Sequence, residues 1–236
     1  MKQREALERL NVQSQHNAVN NTDEFVKEFL ISHDKILVLV HELLVVEAWK
    51  ERVYPHFAKI DPNAMDAGLT NSQFYLAHYC EATLVNLIEV SFFHQDACEA
   101  AGDDALLELC DYCARKLVYL NDGRAAEDAQ LLSRAKRERK SAKELLNARA
   151  GDEFAEKEAE VRFGTATCAL TVLRYLTDYI NDVPLCVMAR LLDTHDAQML
   201  LVPLLEERPW LRRVPGKGGG RDVNEVFADG RWTEQP

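Results

Sequence analysis

The stretch ISHDKILVLVHELLVVEAWKERVYP, residues 31–55, decides the fold class of this chain. Residues 36–46 are apolar around almost the whole circumference of a helix, and a helix without a wide polar face has to be covered on several sides. Ser32 can cap this helix, and Asp34 lies in its first turn, where negative charge favours the helix dipole. The helix should end before Pro55, because proline disfavours helical geometry in the preceding residue. We therefore predict a central helix here.

Helical spacing of apolar residues extends through most of the chain on both sides of this helix. Residues 61–72 are expected to form a loop, and Glu81 and Glu89 mark the more polar face of the helix that follows. A basic cluster at residues 134–143 is more typical of a solvated helix face than of a binding site. Further helices are predicted at residues 2–20, 22–31, 71–94, 104–120, 165–180, 184–192 and 194–207.

The C-terminal residues differ in composition from the rest. Residues 215–220 are rich in glycine and indicate a flexible linker, and Asp229-Gly230 between apolar residues is a weak hairpin signal with little chain left to pair. We divide the chain into a helical-repeat domain, residues 1–214, with a variable charged helical insertion at residues 122–160, and a Gly-rich linker with a truncated extended tail, residues 215–236.

Two pairs of segments echo each other. Residues 32–44 and 194–205 each carry a cap residue, a His-Asp pair and a helix rich in leucine and valine. Residues 81–98 and 165–182 each contain a long apolar helix followed by a break and a shorter helix. Such echoes are typical of degenerate repeats whose neighbouring helices complete each other's core. We predict an all-α fold, an irregular armadillo- or HEAT-like helical repeat stack, with a single irregular helical bundle as the alternative.

Composition limits the compartment and the classes of partner. The net charge of -11 repels the phosphates of nucleic acids and of anionic membranes. No apolar run approaches the ~20 residues that span a bilayer, and the polar N-terminus does not have the apolar stretch of a signal peptide. The six cysteines lie in apolar helical patterns and are expected to be free thiols that pack as small hydrophobes. The chain is predicted to be soluble and cytosolic.

Two His-Asp dipeptides come nearest to a catalytic motif, because all-α metal-dependent phosphohydrolases hold divalent metals with such a pair and further His and Asp ligands. The Ser or Thr before each pair explains the Asp as part of a helix cap, and we prefer that interpretation. The ligands of the phosphohydrolase alternative would be His33-Asp34 and His195-Asp196, with His41, His78 and His94.

The other motifs are incomplete. Cys110 and Cys113 form a CxxC, but a structural zinc site needs four ligands and no second pair follows. His41-Glu42 begins like HExxH, yet Val45 stands where the second histidine would be. We therefore name no catalytic, cofactor-binding or metal residue, expect no cofactor and predict that the chain is not an enzyme. Its partner-binding residues are left unassigned.

Five blocks of sequence carry a resemblance to a known family. They are residues 31–55, HYCEATLVNLIEVSFFHQDACEA at 78–100, LCDYCARKL at 109–117, LTVLRYLTD at 170–178 and LLVPLLEERPW at 200–210. In this order they resemble the N-terminal helical region of a family of axonemal-dynein assembly factors, the zinc finger MYND domain-containing protein 10 family. The resemblance covers most of residues 5–236 and is weakest at 122–160.

The resemblance implies a non-catalytic protein-binding scaffold in the cytoplasmic preassembly of axonemal dynein arms, and thus in cilium or flagellum assembly. The implied partners are chaperones, dynein chains and other assembly factors, including a leucine-rich-repeat partner, near the centrioles or the ciliary base. None of the six cysteines matches the family's MYND zinc finger, so zinc is not expected, and the early end favours a fragment over a shortened homologue. The alternatives are the phosphohydrolase and a nucleic-acid binder that uses residues 134–143.

Overall fold

The structure, a computed structural model, describes residues 2–20, 24–56, 69–137, 150–214, 221–228 and 231–235. These residues form ten α-helices and a small three-stranded sheet, which confirms the all-α prediction in the main. The helices are Lys2–Asn20 (α1), Phe25–Ser32 (α2), Lys35–Ala48 (α3), Leu69–Phe92 (α4), Gln95–Ala101 (α5), Asp103–Asn121 (α6), Gly123–Arg137 (α7), Ala150–Asp178 (α8), Leu185–Ala189 (α9) and Ala197–Glu207 (α10). The strands are Leu211–Val214 (β1), Val223–Ala228 (β2) and Arg231–Glu234 (β3).

The long helices α4 and α8 form the centre of the molecule. They run side by side in the same direction. This direction follows from two contacts, since His78 lies beside Glu158 in the first half of each helix and Phe93 lies beside Tyr175 near the C-terminal end of each. Helix α1 and helix α3 pack against α4, and α6 packs against α3, α7, α8 and α10. The largest fully buried side chains come from α2, α3, α4, α6 and α8: Tyr112, Phe92, Phe163, Leu30, Ile36, Leu43, Leu87, Ile88, Leu106, Leu109, Leu117 and Leu176.

Helix α3 corrects one prediction. One face of it is buried, as expected, but Leu37, Val38 and Val45 on the other face are each about half exposed. The helix is therefore not covered on several sides and lies at the edge of the core. Its regular α-helical part ends at Ala48, but a π-helical turn over Trp49–Val53 and a helical turn over residues 54–56 continue it past Pro55, so the prediction that it ends before Pro55 is wrong.

The two His-Asp pairs begin helices, but they do so without side-chain capping. Asp34 and Asp196 both adopt the left-handed backbone conformation, with φ angles of 52° and 45°, and neither side chain bonds the first turn of its helix. Asp tolerates this conformation better than most residues. The Ser32 hydroxyl instead donates to the Phe29 carbonyl at 3.2 Å. The two echoing segments thus share a local geometry, which is a left-handed Asp rather than a capped first turn.

The other helices lie near their predicted positions, except that α8 begins at Ala150, well before the predicted start at residue 165, so its first turns lie in the segment that we predicted to be an insertion. Helix α4 begins at Leu69, within the predicted loop, and the break after it leads into α5 as the break after α8 leads into α9. A second π-helical turn, Arg190–Thr194, joins α9 to the His-Asp pair before α10. The armadillo- or HEAT-like repeat stack stays a prediction.

Helix α7 lies within the segment that we predicted to be a charged insertion. Its first half packs on α6 and α8, because Ala125 is 1% exposed and Asp128 is 8% exposed. This half belongs to the core rather than to a solvated face. Half of the basic residues of the cluster 134–143 lie at residues 138–143, outside the described residues.

The sheet was missed by the fold prediction, apart from the hairpin. Strands β2 and β3 pair antiparallel, as the hairpin signal predicted, with Ala228 opposite Arg231. Strand β1 pairs with the opposite edge of β2. The sheet therefore contains residues from both sides of the domain boundary that we predicted after residue 214. The aromatic rings of Phe227 and Trp232 lie 5.0 and 5.4 Å from that of Phe163 and fix the sheet to α8.

A buried ion pair stabilises the sheet from within. Glu225 on β2 is completely buried and accepts two hydrogen bonds from Arg212 on β1, at 2.9 and 2.8 Å. The Arg212 guanidinium also lies 4.0 Å from the centre of the Trp232 ring, within the range of a cation–π contact. All three strands are thus held together by side chains as well as by their backbone bonds.

Burial tests the prediction for the cysteines. Cys98, Cys110 and Cys113 are buried free thiols, as predicted, whereas Cys186 is exposed, so the prediction that all six pack as small hydrophobes is wrong for it.

None of the helices in the described ranges combines the length and apolar character that a membrane span needs.

Replacing Phe163 by alanine tests how strongly the sheet is attached. Phe163 is 1% exposed and contacts both Phe227 and Trp232, so Phe163→Ala should lower the free energy of unfolding by about 3–5 kcal/mol. Leu185, which is 77% exposed, is the matched control, and Leu185→Ala should change stability by less than about 0.5 kcal/mol. Urea unfolding followed by circular dichroism measures both. Equal effects would show that the aromatic cluster contributes nothing to stability.

Candidate functional site

The helical core contains a cluster of charged side chains, which we call the Glu81 cluster. A charge inside a protein is costly unless it is paired and hydrogen-bonded, so such a cluster constrains the elements that supply it. Its residues come from the end of α3, the π-helical turn after it, α4 and α6. They are Glu47, Lys50, Glu81, Tyr112, Arg115 and Lys116.

Glu81 is the centre of this cluster and has no exposed surface. Its carboxylate forms ion pairs with Lys50 and with Lys116, the latter at 2.8 Å, and accepts a hydrogen bond from the Tyr112 hydroxyl at 3.1 Å. Lys116 also lies 2.9 Å from a carboxylate oxygen of Glu47. A single ammonium group thus bridges two buried carboxylates from different helices, which fixes α3 and α4 against α6.

The charges of the cluster set its protonation. Burial alone would raise the pKa of Glu81, but the ammonium groups of Lys116 and Lys50 hold it at about 2. Burial would lower the pKa of Lys116, and the carboxylates of Glu81 and Glu47 raise it instead. The Tyr112 hydroxyl has its pKa raised by burial and then by Glu81, so it stays a hydrogen-bond donor. Burial lowers the pKa of Lys50, and the charge of Glu81 opposes that decrease. The pair of Glu81 and Lys116 is ionised at neutral pH and forms the centre of a structural salt-bridge network.

His78 lies one turn before Glu81 on α4 and is 4% exposed. Burial, and next the positive charge of Lys50, lowers the pKa of this histidine to about 3. Its Nε2 atom is 3.7 Å from a carboxylate oxygen of Glu158 on α8. The imidazole is neutral at physiological pH and belongs to the packing between α4 and α8.

A second buried network joins α6, α7 and α8 through Asp128. The Tyr119 hydroxyl donates to its carboxylate at 2.6 Å, and the Arg162 guanidinium donates to both of its oxygens, at 2.8 and 3.1 Å. Two parallel bonds from one guanidinium are the strongest common form of ion pair. This network holds the first half of α7 in place.

The five histidines of the phosphohydrolase hypothesis contact different partners. His33 is exposed and stacks on Phe29, whereas the Nε2 atom of His195 lies 2.5 Å from Asp111 on α6. His94 lies 2.9 Å from Glu24, and His41 is mostly exposed beside Glu42. Within the described ranges, no three His, Cys, Asp or Glu side chains are grouped so that they could hold a metal ion. The geometry gives that hypothesis no support.

The CxxC pair is part of the hydrophobic core. Cys110 and Cys113 are both fully buried on α6, and burial raises the pKa of the Cys110 thiol to about 12 and that of Cys113 well above its usual value. Thiols in this state are poor nucleophiles, because the thiolate is the reactive form. Their position confirms the interpretation as core residues.

A groove of about 920 Å³ lies where α1, α4, α8 and β2 meet. Its volume is at the upper end of the range typical of ligand-binding pockets. Asn11 and Gln15 of α1 face α4 and α8 across it, and the side-chain amide of Gln15 donates to Asn86 at 2.5 Å. Glu89 of α4 and Thr165 of α8 also line it. This groove is the candidate binding site of the described residues.

Replacing Glu81 tests whether the cluster holds the helices together. Glu81→Gln keeps the side-chain volume but leaves Lys50 without its carboxylate, so it should lower the free energy of unfolding by about 3–5 kcal/mol. Glu108→Gln, at an exposed carboxylate on α6, is the matched control and should cost less than about 0.5 kcal/mol. Urea unfolding at pH 7 provides both values. Similar values for the two variants would rule out a structural role for the Glu81 charge.

The neutral, buried His78 predicts a specific dependence of stability on pH. Its pKa is about 3 in the folded chain and 6.5 in the unfolded chain, so the unfolded state binds the proton first as the pH falls. Stability due to this residue is therefore complete above pH 6.5 and decreases steadily toward pH 3. His78→Gln should flatten the stability profile between about pH 6.5 and 4.5, a range above most of the titration of Glu81. Parallel profiles for both proteins would contradict the low pKa of His78.

Comparison with known proteins identifies the family. A Drosophila melanogaster protein named zinc finger MYND domain-containing protein 10 homolog is 34% identical to this chain over 213 residues. The match covers 90% of this chain and 43% of that protein, so the chain spans less than half the length of this relative. No protein-family model matches the chain, and no solved structure does. The similarity over nearly the whole chain confirms the resemblance that the five sequence blocks indicated, and the chain belongs to the zinc finger MYND domain-containing protein 10 family.

Proposed function

We propose that this chain is a non-catalytic scaffold that binds other proteins during the cytoplasmic preassembly of axonemal dynein arms. The observation that carries the proposal is its family membership, since the similarity extends over 90% of the chain. The family resemblance implies the dynein-assembly role, and the name of the relative describes a zinc-finger-containing protein rather than an enzyme. The proposal assigns no metal or cofactor to this chain.

The architecture supports a role in binding. Helices fixed by buried ion pairs present rigid surfaces, and rigid surfaces lose less conformational entropy on association. We propose that the helices act as an irregular armadillo- or HEAT-like stack, an arrangement that offers extended surfaces to partners. The proposed partners are chaperones, dynein heavy and intermediate chains and other assembly factors, including a leucine-rich-repeat protein, near the centrioles or the ciliary base.

One exposed surface is suited to such contacts. Met199, Val202 and Leu205 are 65%, 48% and 67% exposed, and their spacing places them on one side of α10. We call these three residues the α10 apolar face. Large apolar side chains exposed together on a helix are typical of protein-binding surfaces. A charge placed within this face should therefore weaken partner binding without disturbing the core.

Affinity capture from an extract of ciliating cells tests the proposal. The chain should recover dynein chains or chaperones, and Leu205→Asp should reduce that recovery at least about fivefold, because a carboxylate would be buried against the partner. Ala126→Asp introduces the same side chain at an exposed position of α7, which is not part of this face, and is the matched control. Circular dichroism confirms that each variant is folded. Failure of the folded chain to recover any of these proteins would contradict the scaffold role, and equal recovery by both variants would exclude the α10 apolar face.

A further inference from the structure

The groove between α1, α4, α8 and β2 contains a carboxylate that pairs with no basic side chain of the described residues. Glu24, Glu89 and Glu160 all line the groove. Glu24 is paired with Lys27 and His94, and Glu160 is paired with Lys157. Within the described ranges, no basic side chain pairs with Glu89, whose partners are the Cys168 thiol and the Thr171 hydroxyl of α8. Glu89 is therefore placed to accept a cation from outside the chain.

The surroundings of Glu89 strengthen any such interaction. Burial raises the pKa of its carboxyl group, and hydrogen bonds from Cys168 and Thr171 partly offset that increase. An ion pair with a partly desolvated carboxylate is worth more than one at an exposed surface, where screening by water leaves little net gain. A cation that reached Glu89 would also stabilise the charged form of the carboxylate.

An unbonded hydroxyl lies in the same groove. Thr165 is 3% exposed, and its Oγ1 atom has no hydrogen-bond partner among the described residues. Its neighbour Thr167 donates to the carbonyl oxygen of Phe163, one turn earlier, at 2.9 Å. A buried polar group without a partner costs stability. A polar group of a bound molecule in this part of the groove would offset that cost.

Apolar and aromatic side chains surround these polar groups. Phe93, at the end of α4, is 60% exposed and lies edge to face with Tyr175 of α8, their ring centres 5.9 Å apart. Val90 and Phe227 also line the groove. An aromatic surface beside a carboxylate suits the apolar stem and the charged tip of a lysine or arginine side chain. A volume of about 920 Å³ gives room for a few side chains rather than for a whole folded partner.

We propose that this groove binds a short segment of another polypeptide, whose lysine or arginine side chain pairs with Glu89 while its apolar neighbours contact Phe93 and Val90. Charge complementarity selects this occupant, because no basic side chain of the described residues pairs with the Glu89 carboxylate and the chain as a whole has a net charge of -11. The inference rests on the proposed scaffold function, for which it specifies the chemistry of a bound segment.

Binding of synthetic peptides to the purified chain tests this inference. The probes are fluorescein-labelled nine-residue peptides of alternating serine and leucine with a central lysine, norleucine or glutamate, measured by fluorescence anisotropy. The lysine peptide should bind at least about tenfold more tightly than the other two. Glu89→Gln should abolish this preference, since it removes the charge but keeps the side-chain volume. Phe93→Ala, at a largely exposed position, should weaken the binding of the lysine peptide and of the norleucine peptide alike.

Glu108→Gln removes an exposed carboxylate outside the groove and should keep the full preference for lysine. Equal binding of the three peptides, no binding of the lysine peptide, or an unchanged preference in folded Glu89→Gln would each overturn the inference. The peptide assay uses the purified chain alone and tests only the groove. A negative result there would leave the scaffold role intact if the capture experiment recovers partners, so the two proposals can fail separately.

Discussion

The carboxylate of Glu81 is the constraint on which the arrangement of the helices depends. It has no exposed surface, and its charge is balanced by ammonium groups from two other elements, the π-helical turn after α3 and helix α6. Breaking a buried pair leaves an uncompensated charge, whereas displacing an apolar side chain only lowers the packing energy. Apolar contacts have little directional preference, whereas the ion pairs need their charged atoms within hydrogen-bond distance of one another. The cluster therefore restricts how α3, α4 and α6 pack against one another.

The helices that form this core also position the residues that line the groove. Helix α4 carries Glu81 and His78 into the core, and one to two turns later it carries Asn86 and Glu89 into the groove. Helix α8 does the same with Glu158, which lies beside His78 in the core, and with Thr165, which lines the groove. Because the same two helices form both, the groove is held open by the core rather than by its own contacts. A preformed groove is suited to binding without a large loss of conformational entropy.

The sequence predicted α4 and α10 nearly in full because apolar periodicity is a local property, but it assigned the first part of α8 to a charged insertion, since charged residues interrupt the apolar pattern there. It placed Glu81 on a polar face, since an isolated glutamate in an apolar helix looks solvated until the lysines that neutralise it are known. Those lysines lie 31 and 35 positions away, so their proximity depends on the tertiary fold. The sequence did contain one signal for this buried cluster, since Glu47 lies in a helix whose other residues are mostly apolar. The face of Leu37 and Val45 was predicted to be buried, because composition does not reveal which side has a neighbour. Strand β1 was missed for a similar reason, as its partner lies beyond a glycine-rich segment.

Hydrogen–deuterium exchange of the chain and of its Glu81→Gln variant tests the central claim most directly. If the Glu81 cluster fixes three elements together, the amides of α3, α4 and α6 should all lose protection in the variant, since they open as one cooperative unit. The amides of the sheet, which is held by its own pair of Glu225 and Arg212, should change less. A loss of protection confined to the turn of α4 around residue 81 would contradict the account. It would show that apolar packing alone positions the helices.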